Sequence, residues 1–177
     1  MSQSPINRRD ALAASAGLVV GAAASSSASA QSAGLKDIDP GVTVAPGDAT
    51  EIWAVLDKYI DNYRQPVQDY IDKNLETLLF PHVRIASHTV TVFSDLKSYR
   101  DLAGNPGNVD QYMQSGWDHS IWKTRRIVEA DPGKVHVATT FDRLTKDDKL
   151  INTETSLYIL EKIDGRWGIR GRSSFAK

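Results

Sequence analysis

The chain has 177 residues, with 21 Lys and Arg against 22 Asp and Glu, for a formal charge of −1. So even a balance leaves no electrostatic footprint for nucleic acid or an anionic membrane surface. There is no cysteine, which excludes disulfides, thiolate metal sites, iron–sulfur clusters and a cysteine nucleophile.

Residues 1–30 read as a signal peptide. Asn7-Arg8-Arg9-Asp10 sets two arginines ahead of a weakly apolar run, Ala11 to Ala24, and Ala28-Ser29-Ala30 supplies the small-x-small pattern of a cleavage site. The paired arginines point to the twin-arginine route and so to the periplasm. The apolar run is short of the ~20 residues that span a bilayer, so no membrane attachment is expected once the signal is removed. Residues 31–47 read as a linker, with turn signals at Asp39-Pro40-Gly41 and Pro46-Gly47. Residues 48–177 are expected to form one domain.

Asp48-x-x-Glu51 spells a capping box. Ile52, Val55, Leu56, Tyr59, Ile60 and Tyr63 follow at helical period. Pro66 must break that helix, since it lacks an N–H and clashes with the preceding turn. Val67, Tyr70, Ile71, Leu75, Leu78 and Leu79 continue the stripe, so a helix pair is predicted over residues 49–79. Val83–Ala86 and Val90–Phe93 read as a small hairpin. Ser94 or Asp95 caps a short helix through Leu102, and a further helical turn is predicted over 108–116. Long strands follow near 118–130, 134–144, 151–162 and 166–175, separated by Asp131-Pro132-Gly133, Lys146-Asp147-Asp148 and Asp164-Gly165. Val135, Val137, Thr139 and Phe141 alternate with polar or small residues, the mark of a sheet with one buried face.

Helices first and strands after predict an α+β fold, a curved antiparallel sheet wrapped around the N-terminal helices. This order resembles the nuclear transport factor 2-like superfamily, and more narrowly its SnoaL-like bacterial branch. The stretch Phe80-Pro81-His82-Val83-Arg84-Ile85-Ala86 and the ending Ser156-Leu157-Tyr158-Ile159, Asp164-Gly165-Arg166-Trp167-Gly168-Ile169 and Arg172-Ser173-Ser174-Phe175-Ala176 carry the resemblance. It covers residues 49–176. It implies a conical domain with a pocket between sheet and helices, often dimerising through the sheet. The superfamily holds isomerases, dehydratases, cyclases, epoxide hydrolases and many members without chemistry. Its cofactor-free members use a carboxylate or His as base and a Tyr or acid as oxyanion donor.

Such chemistry needs a titratable group in an apolar wall, where burial moves its pKa toward neutrality. His119, next to Trp117 and Asp118, is the expected base, with Asp118 orienting it and Tyr63 as oxyanion donor. Tyr59, His88, Trp117, Trp122, Glu154 and Arg172 are candidate ligand contacts. Each has a plainer reading: a core tyrosine, a solvated turn histidine, a cross-strand ion-pair partner. Trp167 and Ile169 should point inward, which turns Arg170 and Arg172 outward unless a bulge at Gly171 flips Arg172 into the cavity. The four histidines, at 82, 88, 119 and 136, show no metal-ligand spacing. No phosphate loop, nucleophile elbow or dinucleotide fingerprint occurs, so neither metal nor cofactor is expected. The sequence-level reading is a cofactor-independent isomerase, cyclase or lyase on a small, largely apolar molecule. The alternatives are a non-catalytic ligand-binding or accessory module, and a structural dimer whose pocket is filled by its own Trp and Phe side chains.

Overall fold

The computed structural model describes residues 34–103 and 114–175. The signal-peptide reading and most of the helical turn expected over 108–116 lie outside the described residues. The stretch read as a linker contains a strand: β1 (Leu35–Ile38) runs parallel to β4 (His119–Asp131), with Leu35 opposite Thr124 and Ile38 opposite Ile127. Four residues beside the turn formers Asp39-Pro40-Gly41 are too short a run to announce a strand by period.

Helix α1 (Pro46–Asn62) starts with a proline in its first turn, where a missing N–H costs nothing. The expected capping box does not form. Asp48 instead accepts hydrogen bonds from Lys162 Nζ at 2.8 Å and Trp167 Nε1 at 2.9 Å, which pins the helix start to the sheet. The apolar stripe is as read: Ile52, Leu56, Tyr59 and Ile60 are buried. Pro66 is where the pair divides, at the N-cap of α2 (Val67–Asn74).

The helical stripe does not continue to Leu79. Helix α2 ends at Asn74, and Leu78 opens β2 (Leu78–Ala86), where it pairs with Ile169. A short apolar run serves a helix or a strand equally well by period, and tertiary pairing decided this one. Strand β3 (Thr89–Phe93) closes the hairpin. Helix α3 (Leu96–Ala103) is capped by Asp95, whose Oδ1 accepts from the Ser98 N–H at 2.8 Å.

Strands β5 (Lys134–Leu144), β6 (Leu150–Ile163) and β7 (Arg166–Ser174) follow β4 as an antiparallel meander. Gly133 and Gly165 sit at φ +82° and +76° in the two tight turns, a region that glycine enters without strain. The sheet order is β1-β4-β5-β6-β7-β2-β3. It is mixed, not wholly antiparallel as expected, because β1–β4 and β2–β7 pair in parallel. Both parallel pairs join distant parts of the chain, as parallel pairing requires.

Val135, Val137, Thr139 and Phe141 on β5 and Ser156, Tyr158 and Leu160 on β6 line the buried concave face. On β4 the register slips between Trp122 and Thr124 and again between Ile127 and Glu129. The first of these bulges lets Trp122, Arg125 and Ile127 all face inward, where strict alternation would set Trp122 on the other face from Arg125 and Ile127. Arg125 is fully buried, ion-paired with Asp57, and lies near the rings of Trp53 and Trp122.

Candidate functional site

Aromatic side chains fill much of the concave face. Tyr63 packs on Trp117 with centroids 4.8 Å apart, Tyr59 meets Tyr158 edge-on at 5.6 Å, and Trp122 meets Phe141 and Tyr158 at 5.8 Å. Trp117 and Trp122, both expected as ligand contacts, are buried in the core, and an edge of Trp117 also borders an open surface hollow beside Asp118 and Gln65. Their indole N–H groups donate inward, to Ser120 Oγ at 3.0 Å and to the Leu56 carbonyl at 3.1 Å.

Between α1, α3, β2 and β7 a notch remains. Its described lining is Tyr59, Tyr63, Leu78, His82, Arg84, Tyr99 and Arg172, around a cavity of about 30 Å³. That is room for little more than a water-sized group.

Arg172 enters this notch through a bulge. Leu160 pairs with Ile169 but Ile159 pairs with Gly171, so Arg170 is the extra residue on β7. Arg170 is engaged with Glu161 at 2.8 Å and with the Pro81 carbonyl at 3.0 Å. The parity change turns Gly171 to the convex side and Arg172 inward. Arg172 Nε donates to Ser156 Oγ at 3.2 Å, and its Nη1 approaches the Tyr59 hydroxyl at 3.4 Å. The guanidinium carbon lies 5.2 Å from the Phe141 ring centroid and 5.4 Å from that of Tyr158. The Tyr158 hydroxyl is fully buried beside that of Tyr59 without reaching hydrogen-bonding geometry. Burial pushes its pKa up, so it is a neutral phenol.

His82 and Arg84 share the concave side of β2 and were not expected here. His82 is buried against Phe93 and Tyr99, and its Nδ1 lies 3.2 Å from the Ile169 carbonyl. That carbonyl only accepts, so Nδ1 carries the proton and donates it, and Nε2 is the acceptor nitrogen of the ring. Burial, with Arg172, Arg84 and Arg170 adding to it, lowers the His82 pKa to about 4. Arg84 is exposed at the rim, directly opposite Arg172 in the β2–β7 register.

The expected base lies elsewhere. Ser120 and Trp122 face the concave core, so His119 leaves the opposite side of β4. Its Nδ1 lies 3.0 Å from Asp118 Oδ1 and its Nε2 lies 3.2 Å from Asp148 Oδ1, in the β5–β6 turn. The structure thus turns the His119 side chain away from the face that Tyr63 packs on, because one residue of strand register exchanges the faces. Asp118 follows His119 through its Oδ1 contact, and its backbone carbonyl accepts from the Gln65 N–H at 2.7 Å. His88 is exposed in the β2–β3 turn. Glu154 accepts from Asn152 Nδ2 at 2.8 Å and does not line the notch. Of the expected contacts, the notch brings together Tyr59, Tyr63 and Arg172. It adds His82, Arg84 and Tyr99. A β2 begun at Leu78 would have revealed the first two by period-2 spacing. Among the described residues no group of His, Asp and Glu is arranged to hold a metal ion, and no helix is long and apolar enough to cross a membrane.

No curated protein matches the chain. Solved structures do. A protein of unknown function with a cystatin-like fold from Nostoc punctiforme has TM-score 0.58 at 10% identity, covering 75% of this chain and 93% of its own. An NTF2-like protein of unknown function from Shewanella oneidensis has TM-score 0.52 at 17% identity, covering 73% and 98%. A proposed aromatic ring hydroxylase from Novosphingobium aromaticivorans has TM-score 0.54 at 11% identity, covering 75% and 90%. At these identities the likeness is one of fold. Residues 49–174 match the family described as NTF2-like protein (DUF6841), and the chain accordingly belongs to that NTF2-like family.

Proposed function

We propose that this NTF2-like domain is a small-molecule-binding module and not a proton-transfer enzyme. The chemistry of the notch supports this. The one imidazole in the notch is buried and neutral, and its Nδ1–H is engaged with the Ile169 carbonyl. No described lining residue is a carboxylate. What the notch offers is recognition: phenol hydroxyls, a guanidinium fork and aromatic walls. Its volume suits the head group of a small, largely apolar molecule, the body of which rests toward the rim at Arg84.

The setting of this module rests on sequence and surface. The paired Arg8-Arg9, the apolar run and Ala28-Ser29-Ala30 support export by the twin-arginine route to the periplasm. The convex side of the sheet gathers Val83, Ile85, Val90, Val92, Leu157 and Ile159, with Val90 64% and Val92 61% exposed. An apolar sheet face of this kind supports a homodimer with the two sheets back to back.

Native mass spectrometry and two-dimensional NMR with a library of small aromatic and aliphatic molecules test the binding reading. Reversible binding that perturbs Tyr59, His82 and Arg172, with each compound recovered unchanged, is expected. Conversion of a bound compound, abolished by His82→Gln, would replace this reading with a catalytic one.

A further inference from the structure

Strand register lines up two rows of side chains across the convex face. One runs from Arg126 through Ala138, Leu157 and Ser173 to Ile85 and Val90. The next runs from Glu129 through His136, Ile159 and Gly171 to Val83 and Val92. Within these rows the only Asp, Glu, Lys or Arg are Arg126 and Glu129, both on β4. Both rows cross β7 on a small residue and end exposed and apolar on β3. On the other flank a hollow of about 390 Å³ opens over β4, β5 and β6, where Thr124, Ala138, Thr140 and Thr155 line it. Projecting valines thus stand on one side of β7 and a hollow on the other. Ion pairs frame the area: Arg126 with Asp39 at 3.1 Å, Lys123 with Asp142 at 3.6 Å, and Arg170 with Glu161 at 2.8 Å.

We infer that a second copy of this chain covers the face about a two-fold axis running along β7, so that β3 of each copy lies over β5 of the other and seats Val90 in the hollow at Ala138. The inference rests on the homodimer reading above and assigns its contacts. The sheet order β5-β6-β7-β2-β3 is centred on β7, and a two-fold axis along that strand exchanges the strands on its two sides. Leu157 and Ile159 of one copy then meet Val83 and Ile85 of the other, apolar against apolar. Gly171 and Ser173 meet at the axis, where short side chains let the sheets close to about 10 Å. Strand β4 falls beyond the edge of the other copy, so Arg126 and Glu129 keep their water and form a charged rim around an apolar centre. An axis across the strands would set β4 on β4 and hollow on hollow. That arrangement desolvates Arg126 and Glu129 and encloses a void in place of packed side chains.

Cysteine crosslinking tests the arrangement, because the chain has no cysteine of its own. Val90 and Ala138 lie four strands apart in one sheet, about 19 Å, beyond the reach of a short bismaleimide within one chain. Across the dimer they face each other over a sheet spacing of about 10 Å. The full folded domain carrying Val90→Cys with Ala138→Cys is expected to link into a species of twice the chain mass. Val92→Cys with His136→Cys, on the next row, is expected to do the same. Val90→Cys alone is expected to stay unlinked, since the two copies of Val90 then lie on opposite flanks. Light scattering of the parent and of each variant accompanies the crosslinking. If the parent is a dimer and neither pair links, or Val90→Cys links to itself, the β7 axis is overturned while the homodimer reading stands. If the parent is monomeric at high concentration, both fall.

Discussion

Arg125 and Asp57 form an ion pair inside the cone: the arginine is wholly buried on β4 and the aspartate projects from α1. Asp57 also accepts from Lys36 Nζ at 2.8 Å, and Arg125 Nη2 donates to the Gly34 carbonyl at 3.3 Å. One charge pair thus ties the first helix, the central strands and the short β1. Removing one partner strands the other in low dielectric. Asp57→Ala should cost about 3–5 kcal/mol, whereas Arg125→Met with Asp57→Leu should recover most of that. Urea denaturation of the single and double variants measures it; equal losses would mean the pair matters only as volume.

His82 makes stability depend on pH. Its folded pKa of about 4 lies below the unfolded value near 6.5, so the unfolded chain binds more protons between those limits. Stability supplied by the neutral ring is complete above about pH 6.5 and falls as pH drops toward 4, by about 3 kcal/mol in all. Subtracting the profile of His82→Leu from that of the parent isolates this contribution. A flat difference across the window would show that the ring titrates normally.

Gly168 lies against Leu79, and an added Cβ would stand 2.7 Å from the Leu79 Cγ. Gly168→Ala should overpack the core at a cost of about 1–3 kcal/mol. Combining it with Leu79→Val should return part of the loss, because the shorter side chain clears the contact. Thermal melts of the three variants provide the comparison.

The convex face predicts an oligomeric state. Val90→Lys with Val92→Asp places charges on two exposed positions and leaves the concave core untouched. The parent should elute as a dimer and the variant as a monomer in size-exclusion chromatography with light scattering. A parent that stays monomeric at high concentration would contradict the dimer.

His119→Ala separates the two sides of β4. Affinity for a library compound that perturbs Tyr59, His82 and Arg172 should change by less than about twofold, and stability by up to about 1 kcal/mol from the lost contacts with Asp118 and Asp148. A large loss of affinity would mean that His119 reaches the site after all.

Sequence by itself determined the fold class, the break at Pro66, the extent of β4 to β7 and the buried alternation of β5. These features are local: a proline lacks an N–H, a tight turn calls for glycine, and alternation reports a half-buried strand. Sequence also allowed for Arg172 turning inward through a bulge. What only the tertiary structure decided was register. Pairing of Leu78 with Ile169 made a strand of an apolar run that read as helix, and so brought His82 and Arg84 to the notch. Pairing across β4 and β5 sent His119 outward and Trp122 inward. A step of one residue reverses the face of a strand at almost no local cost, so only the partner strand sets which side chains meet.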